Sequence, residues 1–277
     1  MPELPEVETL VLEMRTKLLG KRIKSIGIRT KKIFQGNKNV LISKRISEIK
    51  RRAKVILMHI GKYWIMIHLK LTGQLFYLPS GKDKTKTGEQ IGKHTHVIIN
   101  FTDGSRLFFN EMRKFGYMKV LNDENLLNFI AKSFGPEPFD RIFTLKHFKV
   151  MLEKRKGGRI KQVLMDQKFI AGIGNIYSDE ALFLARINPV RRIKSLTNSE
   201  IELLYKAIKK VLLRALRYQG SSIQNYRRLS GELGHYGEHR YVYGREGEKC
   251  YGCPGIIKRI KIGGRSAHFC PSCQKLK

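Results

Sequence analysis

All four cysteines of the 277-residue chain lie in two pairs, Cys250-Tyr251-Gly252-Cys253 and Cys270-Pro271-Ser272-Cys273. Each Cys-x2-Cys pair offers two thiolates from one tight turn, and the segment between the pairs has the length of a β-hairpin. This spacing predicts a hairpin that holds one structural zinc ion, because four cysteine ligands leave no coordination position for water. Two disulfides are the alternative, which reducing conditions inside a cell disfavour.

A strong positive charge extends over the rest of the chain. Lys and Arg number 55 against 23 Asp and Glu, a formal net charge of +32. The excess is shared by residues 1–132 and 133–277, so it is not a detachable basic tail. A hydrophobic content of 42% argues against disorder. We therefore expect a folded protein that binds a polyanion, with an affinity that falls steeply as salt rises.

The amino terminus shows no export signal. Residues 1–6 are acidic and are not followed by an apolar stretch. No apolar run approaches the roughly 18 residues that span a bilayer, and no basic segment forms one continuous amphipathic helix that would lie on lipid. We expect a soluble, cytoplasmic protein with no membrane partner.

Hydrophobic periodicity predicts an α+β protein. Apolar residues from Val7 to Leu18 recur at helical spacing before Gly20, which predicts a leading helix over 5–19. Short alternating runs then predict a β-sandwich or barrel with strands at 22–29, 53–60, 63–69, 96–101, 106–110 and 115–120. The helical period returns at 123–132, 145–154, 159–167, 176–186 and 198–218.

Two segments punctuate this pattern. Pro136 and Pro138 prevent helix continuation and predict a domain boundary. Residues 219–237 are rich in Gly, Ser, Asn and Tyr and predict a long surface loop. The expected domains are an N-terminal β-sandwich at 1–134, a mainly helical domain with the long loop at 135–237, and a zinc finger at 238–277.

The first residues offer a candidate nucleophile. Aminopeptidases remove an initiator Met before a small residue, which would expose the secondary amine of Pro2. An α-amino group is more often neutral at pH 7 than a lysine and can attack a sugar C1′. The resulting iminium is an electron sink that promotes loss of the 3′ phosphate, and Glu3 and Glu6 lie beside it as proton carriers. The same residues also fit an ordinary helix start.

Three motifs together resemble the bacterial formamidopyrimidine-DNA glycosylases, of the family shared with endonuclease VIII. They are the run from Pro2 to Thr9, the segment from Ala171 to Tyr177, and the finger from Cys250 to Cys273. The resemblance implies a base-excision repair enzyme with an N-terminal β-sandwich, a helix-two-turn-helix module and a zinc finger. It implies excision of oxidised purines, chiefly 8-oxoguanine and formamidopyrimidines, followed by β,δ-elimination at the abasic site. We expect a monomer that acts on damaged double-stranded DNA and is associated with the nucleoid of a prokaryote.

The resemblance also implies residue roles. Pro2 corresponds to the Schiff-base nucleophile, Glu3 to the proton donor, and Lys54 to the lysine beside the damaged nucleotide's phosphates. Three further residues correspond to contacts with the DNA backbone: His68, Asn175 and Arg265. Without the resemblance, a lysine at the start of a strand is ordinarily an edge charge, and an asparagine between two helices is ordinarily a cap.

An enzyme that acts on a base inside duplex DNA must extrude the nucleotide and fill the gap. Arg113-Lys114-Phe115-Gly116 resembles the family's intercalating loop, in which Arg113 bonds the orphaned base and Phe115 wedges the stack. Leu71 stands where the family has methionine, and Lys70 where glycine is usual. Because Leu is less adaptable than Met, we expect an altered opposite-base preference.

The lesion pocket is the part that the resemblance covers least. The 219–237 loop corresponds to the family's segment that closes over a flipped purine, but its amino-acid sequence departs from the one usual in the family. We expect the pocket to include Glu6, Ile173, Ser221, Ser222 and Tyr243. Two alternative functions stay open: an endonuclease VIII-like glycosylase for oxidised pyrimidines, and a non-catalytic zinc-finger DNA-binding protein.

Overall fold

The structure, a computed structural model, describes residues 1–81, 92–222 and 226–276. Their contacts form two compact units. The first comprises Met1–Lys132 with Tyr218–Gly237, and the second comprises Ser133–Arg217 with Glu238–Lys277. Residues 218–237 thus group with the amino-terminal part of the chain, whereas we expected them with the helical part. The division at 134/135 and 237/238 stays a prediction.

The first unit begins with helix α1, Leu4–Leu18, which agrees with the predicted helix to one residue. Its apolar face is fully buried in the core of the unit, and residues from both sheets described below share that core. Burial of each such side chain contributes about 1.5–3 kcal/mol. The hydrophobic spacing therefore fixes the orientation of α1, and with it the position of the acidic residues at its amino-terminal end.

Two sheets form the predicted sandwich. In chain order the strands are β1 Ile23–Ile28, β2 Phe34–Gln35, β3 Ile46–Arg52, β4 Val55–Ile60, β5 Tyr63–His68, β6 Gly73–Leu78, β7 Thr95–Phe101, β8 Arg106–Glu111 and β9 Tyr117–Leu121. One sheet has the order β1-β7-β8-β6, and the other has the order β2-β9-β5-β4-β3. Neighbouring strands are antiparallel except for β2 and β9.

The sequence pattern did not predict β2, β3 and β6. Strand β3 lies at a sheet edge, where only Ile46 and Ile49 are buried, so its charged residues mask the alternation. Strand β6 begins at Gly73, a residue type that does not mark the start of a strand in the hydrophobic pattern. A Cβ at this position would lie 2.4 Å from the carbonyl oxygen of Leu69, so the glycine serves a close backbone approach.

The segment 218–237 is more than a surface loop. Tyr226 and Leu229 are buried in the sandwich core. The carboxylate of Glu13 on α1 accepts hydrogen bonds from Arg228 Nε at 2.6 Å and from the backbone N–H of Leu229 at 2.8 Å. The buried side chains and the hydrogen bonds to Glu13 hold the segment against α1. The polar composition of the segment gave no indication of either.

The helices fall where the period predicts them. They are α2 Asp123–Ser133, α3 Leu145–Glu153, α4 Ile160–Met165, α5 Asn175–Leu184 and α6 Asn198–Arg217. In the second unit, Phe143 stacks on Tyr205 of α6, with ring centroids 5.5 Å apart. Among the described residues, no helix has both the length and the hydropathy that crossing a membrane requires.

The second unit ends in the predicted hairpin, which consists of β10 Lys258–Ile262 and β11 Arg265–Phe269. Gly263 and Gly264, which form the turn, both have positive φ, as a type I′ hairpin turn requires. The hairpin is anchored by Asp179 of α5, which accepts the backbone N–H of His268 at 2.9 Å. Asp179 also forms a buried ion pair with Lys161 of α4. Helices α4 and α5 and the hairpin are therefore held as one assembly.

Candidate functional site

The candidate nucleophile lies at a buried helix start. Pro2, Glu3 and Glu6 are all buried, and Glu3 and Glu6 form a reciprocal capping box at the start of α1. The Glu6 Oε2 atom accepts the backbone N–H of Glu3 at 2.8 Å. Two carboxylates are thus held next to Pro2 by the backbone geometry of the helix.

Glu6 also joins this helix start to residues 218–237, which we call the capping segment. Its Oε1 atom accepts the backbone N–H of Ser221 at 2.8 Å. Gly220 has φ +80, and a Cβ there would lie 2.9 Å from the Glu6 side chain. The Ser221 hydroxyl is buried without a hydrogen-bond partner among the described residues, whereas the Ser222 hydroxyl accepts the N–H of Gly234. Three of the five expected pocket residues therefore occur in one region of the first unit.

Lys54 and His68 come together at one end of the second sheet. Lys54 occupies the tight turn between β3 and β4 and is 4% exposed. His68 ends β5 directly opposite Val55. Burial first, and then the charges of Lys70 and Lys54, lower the pKa of His68 to about 3. The His68 Nδ1 atom lies 3.1 Å from the N–H of Lys70 and accepts its hydrogen bond, which leaves Nε2 as a donor.

We expect His68 to stay neutral across the physiological pH range. Its folded pKa lies below the unfolded value of about 6.5, so between pH 3 and 6.5 the unfolded chain binds more protons and His68 destabilises the fold as pH falls. The check is the NMR titration of the His68 ring resonance, assigned by its absence in His68→Asn. A constant chemical shift from pH 8 to pH 5 is expected, and a midpoint near 6.5 would contradict it.

The predicted gap-filling residues lie on two neighbouring loops of the first unit. Phe115 is 52% exposed, and the Arg113 guanidinium carbon lies 5.0 Å from the centre of its ring. Leu71 is partly exposed and follows Lys70, whose φ is +50. A left-handed backbone favours glycine, and here a lysine adopts it.

In the second unit, Asn175 is the first residue of α5, and Gly174 is its N-cap. The preceding turn is held by Gln167, which donates to the carbonyl of Ile173 at 2.7 Å and accepts the N–H of Gly172 at 2.9 Å. Ile173 itself is buried. Sequence reasoning missed Gln167, because a single glutamine is ordinarily a surface residue and belongs to no motif.

The hairpin brings a second DNA-contact candidate next to Asn175. Asn175 Nδ2 donates to the Ser266 hydroxyl at 3.2 Å, and the exposed Arg265 is the adjacent residue. The Asn175 Oδ1 atom is buried without a partner among the described residues. A helix amino terminus next to an arginine is a favourable arrangement for an anion such as phosphate.

Tyr243 also lies in the second unit. Its ring packs edge-on against His268 of the hairpin, with centroids 4.8 Å apart. The buried Glu180 of α5 accepts the backbone N–H groups of Tyr241, Val242 and Tyr243 at 2.8–3.0 Å. Sequence reasoning missed Glu180, whose partners are backbone groups about 60 residues along the chain and leave no side-chain pattern.

The four cysteine sulfurs fit a zinc ion. All four lie within 4.8 Å of one another, and the separations from Cys250 to Cys273 and from Cys253 to Cys270 are 3.8 and 3.5 Å. A tetrahedral site with zinc–sulfur bonds of about 2.3 Å requires sulfurs about 3.8 Å apart. The N–H of Gly255, followed by hydrogen bonds with neighbouring cysteine thiols, lowers the pKa of Cys253 to about 7, whereas burial raises the pKa of Cys270 and Cys273. This is one structural zinc site, as the cysteine spacing predicts.

The fold and this site define a zinc-finger protein with a helix-two-turn-helix module. Residues 1–118 match the formamidopyrimidine-DNA glycosylase N-terminal domain, residues 134–227 match the formamidopyrimidine-DNA glycosylase H2TH domain, and residues 247–276 match a zinc finger found in FPG and IleRS. The chain belongs to the formamidopyrimidine-DNA glycosylase family.

Relatives of this family cover the whole chain. The chain is 39% identical over 284 residues to the formamidopyrimidine-DNA glycosylase of Pelotomaculum thermopropionicum, with 100% of each chain covered. It is 38% identical to that of Bacillus cereus, with 99% of each covered. Among solved structures, MutM in complex with DNA containing carbocyclic 8-oxo-G superposes with a TM-score of 0.89, at 34% identity over 99% of this chain and 100% of MutM. Lactococcus lactis Fpg bound to DNA with an abasic site gives the same values.

Proposed function

We propose that this protein is a DNA glycosylase and abasic-site lyase of base excision repair that removes oxidised purines. The observation that carries the proposal is the buried Pro2-Glu3 start of α1, which Glu6 joins to the capping segment. Membership of the family supports it, since relatives carry the name formamidopyrimidine-DNA glycosylase and solved neighbours hold 8-oxo-G or abasic DNA.

In this mechanism the amine of Pro2, freed by removal of Met1, attacks C1′ of the damaged nucleotide. The bond from C1′ to the base breaks, and the base leaves with the bonding electron pair and takes up the proton that the Pro2 nitrogen loses. Glu3 donates the proton that accompanies opening of the sugar ring. The secondary amine leaves a cationic iminium, which acidifies the C2′ proton. Loss of that proton expels the 3′ phosphate, and a second elimination expels the 5′ phosphate.

Cationic and polar groups hold the DNA backbone. Lys54 lies beside the phosphates of the damaged nucleotide and takes part in catalysis there. His68 is neutral and uses its Nε2 proton as a donor, which is supported by the hydrogen bond that Nδ1 already accepts. Asn175 and Arg265 bind phosphate together, as their proximity in the second unit supports.

Leu71, Arg113 and Phe115 fill the gap that the extruded nucleotide leaves. The exposure of Phe115 and the position of Arg113 next to its ring support this role. In the first unit the lesion is bound by Glu6, Ser221 and Ser222, and Ile173 and Tyr243 of the second unit stay pocket residues that only the resemblance implies. The Ser221 hydroxyl, which is buried and has no hydrogen-bond partner in the part of the chain that the structure describes, supports a hydrogen bond to the lesion.

The zinc ion, held by Cys250, Cys253, Cys270 and Cys273, keeps the hairpin folded and takes no part in the chemistry, because four cysteine ligands leave no position for a reacting group. We further propose that the protein acts as a monomer on damaged double-stranded DNA, in the cytoplasm at the nucleoid and away from membranes. The three expected domains, 1–134, 135–237 and 238–277, are proposed as its functional divisions.

The test is a panel of duplexes containing 8-oxoguanine opposite cytosine, thymine glycol opposite adenine, or no lesion. If oxidised purines are the substrate, we expect the 8-oxoguanine duplex to be incised at least about 10-fold faster than the thymine glycol duplex. This ratio corresponds to a difference of about 1.4 kcal/mol in activation free energy. Preference for thymine glycol would favour the endonuclease VIII-like alternative, and Leu71 slightly weakens the assignment to oxidised purines. Tight, salt-sensitive binding without incision of any duplex would instead identify a DNA-binding protein without catalysis.

A further inference from the structure

We infer that Glu111 is a positioning residue that holds both gap-filling loops in one arrangement. The inference rests on the proposed role of Leu71, Arg113 and Phe115, and it adds a residue that does not itself reach the DNA. Glu111 is the last residue of β8 and is fully buried. It lies directly opposite Gly73, the first residue of β6, so it stands where the two loops leave the sheet.

The Glu111 carboxylate accepts hydrogen bonds from donors on both loops. Its Oε1 atom accepts the backbone N–H of Arg113 at 3.0 Å, and its Oε2 atom accepts the N–H of Gly116 at 2.6 Å. The Thr72 hydroxyl donates to Oε1 from the other loop. The N–H of Arg113 also lies 3.2 Å from the Thr72 hydroxyl oxygen. One carboxylate thus binds Thr72, which follows Leu71, and also Arg113 and Gly116, which lie on either side of Phe115.

These donors are neutral, and two of them are backbone groups, so the carboxylate serves to hold loop conformation. A buried carboxylate that accepts such bonds forms charge-assisted hydrogen bonds, which are stronger than neutral ones. Its burial also makes loss of the bonds costly, because the charge would stay out of water. The loops therefore have one strongly favoured arrangement at their base.

The backbone is shaped around this carboxylate. A Cβ at Gly116 would lie 2.5 Å from Glu111 Oε2 and 3.1 Å from the carbonyl oxygens of His68 and Leu69. Lys114 has φ +56, which turns the loop back toward the sheet. The four residues from Met112 to Phe115 are exposed, so contacts of their side chains with the core do not fix them.

The consequence is preorganisation. Insertion of Arg113 and Phe115 into a base stack costs less conformational entropy when the loop already holds the inserting shape. Glu111 therefore contributes to the steps that extrude the lesion and fill the gap. It contributes nothing to the chemistry at Pro2, because a substrate that is already unstacked needs no gap filling.

The experiment compares two substrates across three variants: Glu111→Gln, Thr72→Val and the control Thr72→Ser, which keeps the hydroxyl. The first substrate is a duplex with 8-oxoguanine opposite cytosine, and the second is a single strand with a preformed abasic site. For Glu111→Gln we expect kcat/KM on the duplex to fall about 10- to 100-fold, with borohydride trapping on the single strand within about 2-fold of wild type. Thr72→Val should shift the duplex value in the same direction by a smaller factor, and Thr72→Ser should leave it unchanged.

A fluorescent 2-aminopurine opposite an abasic site reports insertion directly. We expect the fluorescence change on binding to be reduced in Glu111→Gln and kept in Thr72→Ser. Equal losses on both substrates, or no loss on the duplex, would overturn the inference. Should Glu111→Gln fail to fold, the contrast between Thr72→Val and Thr72→Ser decides it alone. Failure of the wild-type protein to form any adduct would instead overturn the proposed function.

Discussion

Replacing Pro2 with glycine is expected to lower covalent trapping on an 8-oxoguanine duplex by on the order of 10²-fold or more. Initiator Met removal also occurs before glycine, so the variant keeps a terminal amine and loses only the ring. A primary amine gives an imine that can lose its proton, and the permanent cation that drives elimination is then absent. The measurement is the yield of the borohydride-reduced protein–DNA adduct, after mass spectrometry has verified the amino terminus.

The matched control is Pro5→Ala, because Pro5 also lies at the start of α1 but offers no amine. It should form the adduct at a yield close to that of wild type. A protein that retains Met1 should form none, because its Pro2 nitrogen is an amide. If Pro2→Gly traps DNA as well as wild type does, another residue is the nucleophile and the proposed chemistry is wrong.

The second large effect is expected from loss of a zinc ligand. Cys253→Ser should abolish stoichiometric zinc binding and unfold the hairpin, since binding of a structural zinc contributes about 10–16 kcal/mol in finger peptides. Arg265 would then lose its position next to Asn175, and affinity for duplex DNA should fall at least about 10-fold. The measurements are metal analysis and a binding titration at fixed salt.

Ser272→Ala provides the control, because Ser272 is an exposed residue between two ligands and offers no thiolate. It should retain one zinc ion and the affinity of wild type. Retention of both properties by Cys253→Ser would show that the hairpin folds without the metal. Loss of affinity in both variants would show that the turn itself, rather than the zinc, supports DNA binding.

Much of the fold is readable from local patterns. The cysteine spacing predicts the metal site because a ligand pair within one turn is a local property. The period of 3.6 predicts α1 and α6 because each buries one apolar face, whereas α5 is buried on all sides. The hydrophobic pattern does not predict β3, which is a charged edge strand, or β6, which begins at a glycine.

The sequence by itself determined the α+β class, the zinc site and the resemblance that points to Pro2 and Glu3. Only the tertiary structure decided which groups far apart in the sequence meet: Glu6 with Ser221, Asn175 with Ser266, and Glu111 with Thr72. Glu6 shows the physical reason, because the partner of its buried carboxylate is a backbone N–H group, that of Ser221. Every residue except proline carries such a group, so no residue type in the sequence marks which one is bound.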